Sequence, residues 1–262
     1  MPYVASAGVD VYYEVDGPQD GEPILFAHGA GGNAAIWYQQ VVAFTALGYR
    51  CVTFDHRTFA RTAADPATCH PVQFRDDALA VLDAVGVEQA HLVGQSMGGF
   101  TVLRMALDAS DRVASLTMSG TPGGLPNPEP TPAVRALLSS EDTGSGGVLD
   151  TMARATREKP LVMRLYESLS SFNTEFSFAN LAGLNGYGVS FEEASTLNMP
   201  ILFVAGAEDP LFPPDLLESY VGRVPGARCE VVTDSGHSPY FEQPDVFNAL
   251  LLDHLRKTPA AR

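Results

Sequence analysis

The sequence predicts an α/β fold: a mostly parallel central sheet flanked by helices, interrupted by one helical insertion. Three observations predict it. Short apolar runs such as Ile24–Ala27 and Cys51–Phe54 have the composition of strands buried on both faces. Longer segments with helical spacing alternate with them, and strand–helix–strand alternation implies parallel pairing. At Thr121 this rhythm stops, and it resumes at Met199.

The elements follow in order. Val9–Val15 alternates and meets a turn at Asp16-Gly17-Pro18, which predicts a hairpin edge. Ile24–Ala27 is a strand, and Ala34–Leu47 a helix ended by Gly48. After the Cys51–Phe54 strand, Phe74, Ala78, Leu82 and Val85 recur at helical spacing within Val72–Val85, and Gly86 stops the pattern. Ala90–Val93 is a strand, Met97–Leu107 a helix and Val113–Met118 a strand. Prolines at 122, 126, 128, 130 and 132 then break the pattern. Helical stretches follow around Ala133–Leu138, Val148–Arg157 and Leu161–Leu169, with no strand between them. Ile201–Ala205 resumes the strands, followed by a helix near Asp215–Val221, a strand at Cys229–Thr233 and a helix at Val246–Arg256. The expected division is a core of residues 1–121 and 199–262 with a helical cap of 122–198. Such a cap sits over the carboxyl ends of the strands, where open α/β sheets bind ligands. The glycines of Gly144–Gly147 are the expected hinge if it moves.

The 262 residues are 45% hydrophobic and 18% charged, enough apolar surface for a sizeable core. Sixteen Lys and Arg against 31 Asp and Glu give a net charge of −15. A surface that acidic repels phosphate backbones and anionic lipid, which argues against nucleic-acid and membrane roles. No apolar run approaches the roughly 18 residues of a membrane span. Met1–Asp16 has neither a basic nor an apolar stretch of signal-peptide type. Cys51, Cys69 and Cys229 are scattered and odd in number, suggesting neither a disulfide framework nor a metal cluster. A cytoplasmic location is the expectation.

The strongest chemical signal is Gly94-Gln95-Ser96-Met97-Gly98, between a predicted strand and a predicted helix. A serine on so tight a turn is pushed out above the sheet, and glycines remove the collisions its neighbours would make. The following helix aims N-terminal amides at the same place, which favours developing negative charge. The hydroxyl needs a base. His237, in Ser235-Gly236-His237-Ser238-Pro239, follows the last strand and lies on a loop at the same sheet edge as Ser96. Of the other histidines, His91 opens its strand at the opposite edge, and His254 is expected half-exposed in the final helix. His70 is expected solvated in a Pro-flanked loop, and His28 buried and loop-shaping. The base needs a carboxylate to fix its tautomer. Asp209 follows the Ile201–Ala205 strand and is the choice, with Glu208, Asp234 and Asp215 as neighbouring alternatives. Asp234 is only three positions from His237, which makes a side-by-side approach awkward. In His28-Gly29-Ala30-Gly31-Gly32, small residues let backbone amides approach a ligand. The amides of Ala30 and Met97 are the expected oxyanion donors. The same loop is not Gly-x-Gly-x-x-Gly and no lysine follows it, which argues against a dinucleotide or phosphate loop. No zinc-spaced motif is present. Trp37 and Met163 are expected in the core rather than in a substrate wall.

With these motifs the chain resembles the α/β-hydrolase superfamily from about Val9 to Leu255. The motifs are His28-Gly29-x-Gly31-Gly32, Gly94-Gln95-Ser96-Met97-Gly98-Gly99, Gly206-x-x-Asp209 with Pro213, and Gly236-His237-x-Pro239-x-x-Glu242-x-Pro244. The resemblance implies the α/β-hydrolase fold, with Ser96 as nucleophile, His237 as base and Asp209 as its partner. It points to small carboxylesterases, 3-oxoadipate enol-lactonases and carbon–carbon hydrolases. A serine, where dehalogenases and epoxide hydrolases of this fold carry an aspartate, argues against those chemistries. One motif departs. Relatives usually show Asp-x-Arg-Gly-x-Gly-x-Ser, whereas this chain has Asp55-His56-Arg57-Thr58-Phe59-Ala60-Arg61-Thr62, with both glycines replaced. That puts the usual loop conformation in question. The expected function is a cofactor-free hydrolase of a small, largely apolar ester or lactone. A carbon–carbon hydrolase, thioesterase or perhydrolase with the same triad is the alternative. A ligand-binding receptor on this fold is the alternative of another class.

Overall fold

The buried apolar runs form the middle of one sheet. The computed structural model describes residues 2–139, 149–177, 181, 184 and 187–258. Its strands are β1 (Tyr3–Ser6), β2 (Val9–Asp16), β3 (Pro23–Ala27), β4 (Arg50–Phe54), β5 (Ala90–Gln95), β6 (Val113–Ser119), β7 (Ile201–Gly206) and β8 (Ala227–Val232). They form one eight-stranded sheet in the order β1-β2-β4-β3-β5-β6-β7-β8. β4 to β8 and β3 pair in parallel, and only the β1–β2 and β2–β4 pairs are antiparallel. Every residue of β3, β5, β6 and β7 is buried, which is why these strands read as continuous apolar runs.

The hairpin lies elsewhere than expected. β2 turns back on β1 through Ala7 and Gly8, both at positive φ (43° and 81°), and Ser6 pairs with Val9. A two-residue turn with two positive φ values matches the right-handed twist of its strands. Asp16-Gly17-Pro18 instead ends β2, which pairs with β4 rather than with β3.

Helices α1 (Tyr38–Ala46), α2 (Pro71–Ala84) and α3 (Met97–Asp108) cover the sheet, with α10 (Pro244–Arg256) at the end of the chain. The expected Ala34–Leu47 helix begins with a separate 3₁₀ turn, Ala34–Trp37, capped by the Asn33 side chain. Side chains alternate across β3. Leu25 and Ala27 join a core with Ala78, Leu82, Val102 and Met105 of α2 and α3. Ile24 and Phe26 join a second core with Phe44, Phe247 and Leu251 of α1 and α10. Trp37 belongs to this second core, and Met163 packs against it, as expected. Between β6 and β7 lie α4 (Pro132–Ser139), α5 (Arg154–Arg157), α6 (Pro160–Ser170) and α7 (Phe191–Ala194). In the described part of the predicted Val148–Arg157 helix, Leu149 and α5 are helical and residues 150–153 are not, and the predicted Gly144–Gly147 hinge lies outside the described residues. Two short helices, α8 (Pro214–Glu218) and α9 (Pro239–Glu242), follow β7 and β8. Among the described residues, no helix is long and apolar enough to cross a membrane.

The altered loop keeps a left-handed backbone without its glycines. Thr58 has φ 69° and Ala60 φ 41°. Left-handed φ costs a residue with a Cβ about 1–2 kcal/mol, and here several bonds hold it. Asp55 accepts from the Ala34 amide (2.7 Å) and from the amide and Nε of Arg61 (3.0 and 2.9 Å). Thr58 N donates to Thr62 O at 2.9 Å, and Tyr12 N to the Thr62 hydroxyl at 3.0 Å. Ala60→Gly is expected to stabilise the fold by about 1 kcal/mol, because half-buried Ala60 loses only a methyl group and relief of strain outweighs the added freedom of the unfolded chain. Thermal denaturation should show a rise of about 2–4 °C. An unchanged or lower melting temperature would count against a strained Ala60.

Candidate active site

Ser96 sits between β5 and α3 with φ 49° and ψ −114°, a conformation that side chains rarely adopt. Close packing enforces it. A Cβ on Gly98 would fall on the Ala27 carbonyl, and one on Gly94 would lie 2.6 Å from the Gly98 carbonyl oxygen. Ser96 N donates to Ser119 O at 3.0 Å, tying the turn to the end of β6. The serine is half-buried, at the mouth of a cavity.

His237 and Asp209 come together at the same edge. The imidazole Nδ1 lies 3.0 Å from Asp209 Oδ2, and each residue is 3% exposed. Asp209 Oδ1 accepts from the amides of Leu211 (2.8 Å) and Phe212 (3.2 Å), so the carboxylate is held from two sides. An imidazole that donates Nδ1–H to a carboxylate presents Nε2 as a base. Gly120, at φ 56°, leaves room for the pair: a Cβ there would sit 3.3 Å from His237 Nδ1 and 3.4 Å from Asp209 Oδ2. The other acids are elsewhere. Glu208 is exposed and accepts from Arg154 N at 3.1 Å, and Asp215 and Asp234 are exposed.

Two residues that sequence reasoning left without a role hold His237 in place. Gln95 Nε2 donates to the His237 carbonyl at 3.1 Å, joining the residue before Ser96 to the His237 loop. Glu242 is buried, and its Oε1 accepts from the amides of Gly236 and Ser238, both at 3.0 Å, on either side of His237. Its Oε2 accepts from Ala153 N at 2.7 Å, and His237 N donates to Thr151 O at 3.0 Å. Burial pushes the Glu242 carboxyl up, while these N–H donors work against that shift. Glu242 stood in the quoted Gly-His-x-Pro-x-x-Glu motif, which was the available signal.

The His28 loop lies opposite. His28 Nδ1 donates to Gly29 O at 2.8 Å and Nε2 accepts from His56 N at 3.0 Å, so the ring shapes the loop as expected. A Cβ on Gly29 would collide with the Gln95 side chain, and the Gly31 carbonyl accepts from the Ser170 hydroxyl. Ala30, Gly31, Ser96, Met97 and His237 all line one cavity of about 340 Å³. Phe100, Leu125, Tyr166, Leu184, Tyr187 and Phe212 form much of its wall; they come from scattered segments.

Two histidines depart from expectation. His254 is 2% exposed, not half-exposed, with Nε2 3.2 Å from Leu116 O, because its face of α10 packs on the sheet. His70 is half-buried rather than solvated: its Nδ1 caps α2 by accepting from Val72 N, and its ring stands edge-on to Tyr187. His91 is bound to Glu22 and Ser115 at the far end of β5, as expected.

Burial pushes His28 and His254 down to about 4, and His56 and His91 also downward. Folded pKa values below the unfolded value of about 6.5 mean that the unfolded chain binds more protons in between. Their contribution to stability is therefore complete above about pH 6.5 and is lost as pH falls toward 4, with about 3 kcal/mol at stake for His28 alone. The raised carboxyls of Glu242 and Asp77 act in the opposite sense. Melting temperatures are expected to fall steadily from pH 6.5 to 4.5, and a flat profile there would contradict the assignment. Glu242→Gln places an amide N–H against a backbone donor. It is expected to cost about 1–3 kcal/mol, measured as a lower denaturant midpoint at constant slope.

Comparison with known proteins places this geometry. The alpha/beta hydrolase family model matches residues 24–250. A RutD chain from Caulobacter sp. (strain K31), named for carbamate hydrolysis, is 29% identical over 94% of this chain and 95% of its own. The 2-hydroxy-6-oxononadienedioate/2-hydroxy-6-oxononatrienedioate hydrolase of Pseudomonas sp is 29% identical over 90% of this chain and 88% of its own. The solved structure of Est816, an N-acyl homoserine lactone degrading enzyme, superposes with a TM-score of 0.80 at 29% identity, covering 96% of this chain and 99% of that one. The chain belongs to the alpha/beta hydrolase family.

Proposed function

We propose that this hydrolase cleaves a carboxylic ester or lactone, without a cofactor, through an acyl-enzyme on Ser96. Ser96 Oγ attacks the carbonyl carbon while His237 Nε2 takes its proton. The tetrahedral oxyanion is met by the amides of Ala30 and Met97, donors fixed in advance by the His28 loop and the start of α3. Collapse of the intermediate expels the alcohol, which receives the proton from His237. A water molecule then loses a proton to His237 and attacks the acyl carbon; the C–Oγ bond breaks, His237 returns the proton to Ser96 Oγ, and the acid is released. Asp209 keeps the Nδ1 tautomer and stabilises the imidazolium formed in each half.

One observation carries this reading: the buried His237–Asp209 pair, 3.0 Å apart, and the strained Ser96 meet at one cavity. The similarity to a lactone-degrading enzyme over nearly the whole of both chains supports ester or lactone chemistry. In this reading residues 1–121 and 199–262 are the core and 122–198 the cap that closes the cavity. Three free thiols support a reducing compartment, the cytoplasm.

Ser96→Ala is expected to lower kcat on a short p-nitrophenyl ester by about 10⁴-fold or more, with the fold intact by circular dichroism. Undiminished turnover in that variant would overturn the assignment.

A further inference from the structure

We infer that the cavity selects acyl groups that are uncharged along their length and excludes those bearing a carboxylate at the far end. This rests on the serine-hydrolase reading of the same site. The observation behind it is the charge of the walls. Among the described residues lining the cavity there is no lysine, arginine, aspartate or glutamate. The stretches of 122–198 outside the described residues contain no lysine or arginine in sequence.

Polar side chains on the wall are few, and none of those away from His237 is a cation. Gln95 is bound to the His237 carbonyl. The Tyr187 hydroxyl accepts from Arg104 at 3.1 Å, so that arginine reaches the wall only through the phenol. Arg104 is also ion-paired with Asp108, in a network with Arg75 and Asp76 that carries no net charge. Tyr166 is 1% exposed, and burial keeps its phenol protonated. Asn127 remains as a neutral amide. The amides of Ala30 and Met97 are assigned to the reacting carbonyl. A carboxylate at the far end of an acyl chain would thus leave water without gaining a cation, and an unpaired charge in an apolar site is strongly disfavoured. A methyl group at that end loses nothing and gains contact with Leu125, Leu184 and Phe212. The acid formed on hydrolysis meets the same walls at the end of each turnover, which favours its departure.

The test compares p-nitrophenyl hexanoate with mono-p-nitrophenyl adipate at pH 8, the same chain ending in methyl or carboxylate. The expected result is a kcat/KM at least about 100-fold higher for the hexanoate, which corresponds to about 2.7 kcal/mol. The ratio should persist in 1 M NaCl, where the screening length is about 3 Å. p-Nitrophenyl methyl adipate, which masks the charge, should recover most of the lost rate. Equal rates for hexanoate and adipate would overturn the inference. So would a ratio that collapses in high salt, which would assign the effect to the −15 surface, or a methyl adipate ester as slow as the acid. Should no ester turn over, the hydrolytic reading fails, and the cavity is then tested by calorimetry on Ser96→Ala. Tighter binding of hexanamide than of adipamic acid upholds the inference, and equal binding overturns it.

Discussion

The backbone of Ser96, held at φ 49° where a β5 strand becomes a helix, is the constraint on which the site depends. A residue with a Cβ does not stay there unaided, at a cost of about 1–2 kcal/mol. It stays because α3 packs so closely on β3 that Gly98 lies against the Ala27 carbonyl. The same contact brings the His28 loop beside the start of α3, so one packing decision positions both the hydroxyl and the two backbone amides. Parallel pairing does the rest. Strands β3, β5, β7 and β8 all run the same way, so the loops carrying Ala30, Ser96, Asp209 and His237 emerge at one edge from distant parts of the chain.

Much of this architecture was legible because the central strands are buried on both faces. A strand with no solvent side has no alternation to interpret, and Ile24–Ala27 or Ile201–Ala205 can be read directly. The same topology made Ser96, His237 and Asp209 legible as a set, since each directly follows a strand. β1 was not legible: it has four residues, only one of them buried, and it is an edge strand paired with β2 alone. The exposure of His254 was misjudged because helical spacing identifies a buried face only when the register against the sheet is known. The cavity wall was illegible for another reason. Phe100, Tyr166, Tyr187 and Phe212 come from separate segments, and no local pattern marks side chains that meet only in the folded chain.

The loop at Asp55–Thr62 shows that a motif and its conformation can separate. Loss of both glycines puts the usual loop conformation in question, yet Thr58 and Ala60 adopt a left-handed backbone that glycine would take without cost. Asp55 makes this tolerable. Fully buried, it gathers the Ala34 amide, the Arg61 amide and the Arg61 guanidinium. Arg61 in turn lies 3.7 Å above the Tyr12 ring and pairs with Glu14. Buried Arg57 pairs with Asp77 just before the strained positions. The conformation is therefore determined from outside the loop, and the residue type at 58 and 60 changes its cost rather than its shape.

Glu242 bears on where the core ends and the proposed cap begins. A boundary drawn from sequence at 122–198 assigns Thr151 and Ala153 to the cap, because the strand rhythm has stopped there. Hydrogen bonds tie these residues of the proposed cap to the His237 loop. One buried carboxylate binds Ala153 together with Gly236 and Ser238, and the Thr151 carbonyl accepts from the amide of His237 itself. Gly236 has no room for a side chain because the Thr151 carbonyl lies against it. Moving residues 151–153 away from the core would break two buried hydrogen bonds, Ala153 N to Glu242 and His237 N to Thr151 O, a cost that small closing motions do not meet. Residues 151–153 of the proposed cap are therefore held to the His237 loop.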